Sequence, residues 1–380
     1  MYTKEEKQLK EYIDKLTYLY AKANTKSKKK RIWYDLETLS LLSTIYPNIN
    51  DNFVWDKDIE FLKLFKEENI PFLDNIYNNK KLYKKIFKNV IEYFKEINFP
   101  LYKDYQKEGN IVLSNEEKNE LIFSFLNDYN PQMLAKYKKW LEERIPFKNN
   151  PLQDSALICA LDNLDEKIIY PIPSLKNTIY TTSLMVHELG HWYEMDLFKE
   201  IGISNYRSLT NPSPLYEVTS RLYEYSFLKY LIENNIYKED TLICLRKYYI
   251  DLLLNAFDIS LIYNMYNLII DEEGYVVVEE PKIVEYANNL MNKLNYYAFY
   301  TEEGQLIDYR EAYTYGLGDL LSIYLYNIYK EDTINFKKDY RSALLTCPYR
   351  KDLSSFENLG ITKEVLLKGE VLKRELTKAR

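Results

Sequence analysis

Apolar and polar positions follow each other at helical spacing along most of the chain. Over residues 3–23, Leu9, Tyr12, Ile13, Leu16, Leu19 and Tyr20 recur three or four apart with Lys and Glu between them. That is the pattern of a helix burying one stripe. The same periodicity predicts helices over 32–45, 57–69, 81–97, 115–127 and 131–144. Ser114 followed by Glu117 reads as a capping box opening the 115–127 helix, and Pro100, Pro131 and Pro146 mark connections. The basic run from Lys26 to Arg31 separates the first two helices and reads as a solvated turn.

Near residue 150 the texture changes. Residues 155–161 (SALICAL) and 167–171 (KIIYP) are short apolar runs flanked by Asp, Asn and Pro, which predicts a small strand pair. Pro171 and Pro173 confine the second strand to an edge, since proline cannot donate to a ladder. Helices then return over 178–199, 214–234, 241–270, 281–296, 310–329 and 333–344. A second small hairpin is expected at 275–279 against 298–300, with Gly274 and Gly304 at its turns. The expected fold is mainly α, with one or two small β-hairpins, divided into a helical N-terminal lobe (1–150) and a second region (151–380).

Composition supports this and narrows the function classes. Only 9 of 380 residues are glycine, too few for a turn-rich β protein. The 39 tyrosines, beside abundant Lys, Asn and Ile, reflect a compositional bias more than a task. Acidic residues outnumber basic ones, 57 to 51, so the basic face that nucleic acid demands is not expected. The three cysteines, Cys159, Cys244 and Cys347, are too few and too scattered for a disulfide framework or a thiolate metal site. The charged start has no apolar core of a signal peptide, and no run reaches the roughly 18 apolar residues of a membrane helix. A soluble, cytoplasmic protein with no membrane partner is expected.

Histidine decides more than any other count. The chain has two, His187 and His191, and both stand in the sequence His187-Glu188-Leu189-Gly190-His191. Imidazoles at i and i+4 of a helix project from one face a turn apart and can share one zinc ion. The glutamate after the first histidine then lies beside the open metal position, where it can take a proton from water. Zinc that keeps a site for water needs a third protein ligand, and with histidine exhausted this must be a carboxylate or a thiolate. The next helix opens after Asn211-Pro212-Ser213-Pro214 and carries Glu217 and Glu224, two turns apart on one face. Glu217 is the candidate third ligand. Its alternative role is an ordinary i,i+4 salt bridge to Arg221. Glu224 is a candidate supporting group, accepting the far N–H of a ligand histidine.

These residues resemble a known family. VHELGH followed by EVTSRLYEYSFLKYLIE is similar to the oligoendopeptidase F branch of the thimet-oligopeptidase family of zinc metallopeptidases, in which a HELGH helix is followed by a glutamate, a serine three on and a second glutamate seven on. Here those are Glu217, Ser220 and Glu224. The resemblance implies one zinc ion held by His187, His191 and Glu217, with Glu188 as general base and Glu224 in support. It also implies a helical bowl around a catalytic cleft, residues 151–380 as the catalytic region, and cleavage of short peptides within their chains. The segment Asp308–Gly318 is similar to the family's tyrosine-rich stretch. It implies that Tyr313 and Tyr315, with Tyr309 a turn earlier, are the candidates for donating to the oxyanion, as a protonated phenol can.

The resemblance covers roughly residues 150–360 and is specific around 180–235. The chain departs from typical members in being much shorter and in lacking the family's further histidines. Two rivals stay open. Ser220-Arg221-Leu222 also resembles the glutamate helix of the thermostable carboxypeptidase Taq family, and a non-catalytic helical binding protein could keep zinc as a structural relic.

Overall fold

The computed structural model describes residues 4–25, 28–29, 32, 36, 78–79, 81–100, 111–143, 157–161, 166–170, 176–203, 213–265, 309–350 and 352–380. Its elements in order are α1 (Lys4–Lys22), α2 (81–97), α3 (Asn115–Tyr129), α4 (Pro131–Glu143), β1 (Leu157–Leu161), β2 (Glu166–Tyr170), α5 (Ile179–Glu200), α6 (Val218–Glu233), α7 (Lys238–Met265), α8 (Tyr309–Glu331), α9 (Thr333–Arg350), a 3₁₀ turn (Leu353–Leu359), α10 (Lys363–Lys368) and α11 (Glu370–Ala379). The fold is mainly α, as the periodicity predicts. The expected helices at 57–69 and 281–296, most of 32–45, and the hairpin at 275–279 and 298–300 lie outside the described residues. The chain divides into two compact units, 1–65 with 111–210 and 66–110 with 211–380.

In the first unit, local chemistry sets the helix ends. Ser114 Oγ accepts from the Glu117 N–H at 3.1 Å while a Glu117 carboxylate oxygen accepts from the Ser114 N–H at 2.7 Å. This is the expected capping box, and it satisfies two donors that the helix start would otherwise leave unpaired. Thr178 and Thr181 repeat the device at the start of α5. That helix stops at Gly202, whose φ of 74° is the left-handed region a Schellman ending requires, and Ile203 N–H returns to the Phe198 carbonyl at 2.9 Å. β1 and β2 pair antiparallel, with Leu157 opposite Tyr170 and Leu161 opposite Glu166. The hairpin was legible from two apolar runs bounded by Asp and Asn. α5 packs on β1 and on α3, and α3 packs on α4.

The second unit is built around α8. Leu317, Leu320, Leu321, Ile323, Tyr324 and Leu325 are all buried, so this helix is apolar on nearly every side. A helix of that kind belongs at the centre of a bundle, and α6, α7, α9 and α11 pack against it. α6 and α7 also pack on each other, and α11 reaches α7. Cys244 and Cys347 are buried here, and neither is joined in a disulfide. Among the described residues, no helix is long and apolar enough to cross a membrane.

Candidate metal centre

α5 carries the histidine motif in its middle, where helical hydrogen bonds run on both sides of it. The rings of His187 and His191 stand 4.9 Å apart between centroids with their planes at 79°. The edge-on pair reflects the one-turn proximity that i,i+4 spacing imposes. Both rings are buried, as are Glu188 and Glu194. Glu188 Oε1 lies 4.0 Å from His187 Nε2. Four ionisable side chains buried on one helix are costly unless they have polar work to do. Glu194 was not picked out from the sequence. Its position seven residues after His187 puts it on the histidine face, and that spacing was a signal available in the chain itself.

Glu217 occupies the N-cap position of α6 with φ −88° and ψ 0°, and its carboxylate does not cap the helix. It is only 6% exposed. Ser220 Oγ instead donates to Glu217 Oε2 at 2.7 Å and also meets the Glu217 carbonyl at 3.0 Å. The salt bridge weighed for Glu217 does not form. Arg221 turns its guanidinium elsewhere: Nη1 donates to Glu224 Oε2 at 2.7 Å and Nε donates to Asp319 Oδ1. Asn255 donates to the other Asp319 oxygen at 3.2 Å, and the guanidinium lies 4.1 Å from the Tyr248 ring centroid.

Electrostatics holds this anchor together. Burial works against the Arg221 charge, but Asp319 and Glu224 outweigh it and keep the guanidinium more firmly protonated than in water. Burial pushes the Asp319 carboxyl above its ordinary range; Arg221 pulls it down and Asp251 adds to the rise. One cation serves several acids in a site where Asp319 is 0% exposed, so losing that cation would leave buried charge uncompensated.

His187, His191 and Glu217 each offer one ligand atom, and these atoms lie within 4.8 Å of one another. All three residues are buried, and together they could hold a metal ion. Two imidazoles and a carboxylate are a donor set that suits zinc, with one coordination position left for water.

The fold has a solved counterpart. The crystal structure of a Chlamydophila abortus protein, provisionally classed as a peptidase, superposes on this chain with a TM-score of 0.57 at 14% identity, covering 98% of this chain and 63% of that one. The chain therefore spans less than two thirds of that protein's length. No family model and no curated protein matches the sequence.

The tyrosine stretch falls within α8. On a helix, residues two apart point about 200° away from each other, so Tyr313 and Tyr315 serve different faces. Tyr313 is 1% exposed and packs its ring 5.8 Å from that of Tyr83. Tyr315 is half-buried, its ring 5.9 Å from the Arg221 guanidinium and so on the α6 side. Tyr309 begins the helix, and its side chain lies outside the described residues.

Proposed function

We propose that the chain is a zinc-dependent endopeptidase acting on short peptides, with His187, His191 and Glu217 as metal ligands and Glu188 as general base. The observation that carries this reading is the grouping of those three buried donors within 4.8 Å, in a chain whose only histidines are the two concerned. The glutamate beside the first histidine separates it from a purely structural zinc site, which needs no base. The shared fold with a protein provisionally classed as a peptidase adds support.

A bound zinc ion would polarise the scissile carbonyl and lower the pKa of a water molecule towards ~7. The Glu188 carboxylate takes a proton from the attacking water and passes it to the leaving amine, changing from base to acid within one cycle. Tyr315, the tyrosine facing α6, donates its hydroxyl to the developing oxyanion. Glu224 steadies the site: Arg221 fixes one of its oxygens, and the carboxylate accepts the outer N–H of a ligand histidine.

The deciding experiment combines zinc quantification with mass spectrometry of a digested peptide library, run beside Glu188→Gln. The expected result is about one zinc per chain, internal cuts in end-blocked peptides, and no cuts by the variant. Stepwise release of single C-terminal residues would move the chain to the carboxypeptidase class. A zinc-loaded protein that cleaves nothing, or a variant as active as the parent, would overturn the peptidase reading.

A further inference from the structure

We infer that Gly318 and Asp319 of α8 are positioning residues for Glu217: together they form a seat that sets where its carboxylate stands. The inference deepens the metal reading above and rests on it.

Glu217 needs outside help to hold a fixed place. It stands at the helix boundary rather than inside α6, where ladder bonds on both sides would fix its backbone. Gly318 supplies part of the missing constraint. A Cβ at this position would come to 2.9 Å from the Glu217 carbonyl oxygen, 3.0 Å from Glu217 Cβ and 3.1 Å from Arg221 Cγ. The first two are the main chain and the first side-chain carbon of Glu217, which cannot swing aside as a flexible tip would. The carbonyl in question also receives the first α6 ladder bond, from Arg221 N–H at 3.0 Å. Glycine thus lets α8 rest directly on the peptide group that carries Glu217.

Asp319 closes the seat from the next position. Its carboxylate grips Arg221 Nε one turn beyond Glu217 and is itself held by Asn255 of α7. Two consecutive residues of α8 therefore fix both ends of the first turn of α6. Accommodating a methyl group at 318 would move the backbones apart by roughly half an ångström, whereas metal–ligand distances tolerate only about 0.2 Å. The displacement exceeds the tolerance, so it should be read out in metal affinity.

The test is zinc affinity by chelator competition, together with the visible absorption of the cobalt-substituted protein, for Gly318→Ala and Asp319→Asn. Gly318→Ala should weaken zinc binding roughly 10- to 100-fold, and Asp319→Asn several-fold, as loss of an outer support does. The cobalt bands should change in both, while circular dichroism retains the helical signal. Gly369→Ala, a strained change at a φ of 67° where a Cβ would meet the Tyr93 ring, should lower the melting temperature and leave zinc affinity unchanged. It separates positioning from general loss of stability. If Gly318→Ala does not fold, Asp319→Asn decides; if neither folds, Asn255→Ala, which removes one bond to Asp319, decides. Zinc affinity within twofold of the parent and unchanged cobalt bands in the folded variants would overturn the seat and leave the metal reading standing. A parent that binds no zinc, or a His187→Ala variant that binds it equally well, would overturn both.

Discussion

The Ser220 hydroxyl donates to Oε2 of Glu217 across 2.7 Å in a setting where Ser220 itself is fully buried. The bond orients a carboxylate that does not cap its own helix, and a hydrogen bond to a charged group contributes more than one between neutral groups. Ser220→Ala should destabilise the zinc-free protein by about 1.5–3 kcal/mol, the range for such bonds. It should also weaken zinc binding roughly tenfold. Denaturant unfolding of the zinc-free protein checks the first and chelator competition the second. Unchanged values in both would mean that the hydroxyl does not orient Glu217.

Glu188→Gln keeps the shape of the side chain and removes its basicity. Turnover should fall by about 10²–10⁴-fold, the usual contribution of a general base. Zinc stoichiometry should remain that of the parent, because the amide replaces a group that is not among the three proposed ligands. Peptide cleavage assays with metal analysis on the same samples check this, and a loss below tenfold would remove Glu188 from the proton transfer.

How much of this was readable in the chain follows from the range of each interaction. The HELGH pair is local: five residues and the pitch of one helix bring His187 and His191 onto one side of α5. The Ser114 and Glu117 cap is local too, and it forms as spaced. Glu217 could be narrowed to a ligand or a salt-bridge partner of Arg221, and what keeps that salt bridge from forming is Asp319, 98 residues beyond Arg221, which takes the guanidinium. No periodicity within α6 carries that information. Gly318 is silent in the same way, since its purpose appears only when α8 lies against α6. Tyr313 and Tyr315 look equivalent in a line of text and are separated by helical geometry, one packing on Tyr83 and the other on Arg221.

Removing the metal should be felt by the fold as well as by the chemistry. A ligand bound only by the native state stabilises it by RT ln(1 + [L]/Kd), about 2.7 kcal/mol at a hundredfold excess over Kd. Exhaustive chelation should therefore lower the melting temperature, and added zinc should restore it in a concentration-dependent way. The same titration on His187→Ala should be flat. Differential scanning calorimetry over a zinc series checks both, and an equal response in parent and variant would place the ion elsewhere.

The C-terminal helix offers a prediction on stability against pH. Glu375 of α11 is 2% exposed, and Lys229 of α6 and Lys378 donate to its two oxygens at 2.9 and 2.8 Å. Burial pushes its carboxyl up, but the two ammonium groups prevail and hold it below the ordinary value near 4.5. With the folded-state pKa depressed, the contribution to stability is fully present above the unfolded value. It is lost as pH falls from there through the folded value. Glu375→Gln removes that term, so the variant should be less stable than the parent at neutral pH, and the gap should narrow below about pH 4.5. Urea unfolding at a series of pH values checks it. A gap that stays constant or widens with acid would mean that the pairs with Lys229 and Lys378 do not hold the Glu375 carboxyl down.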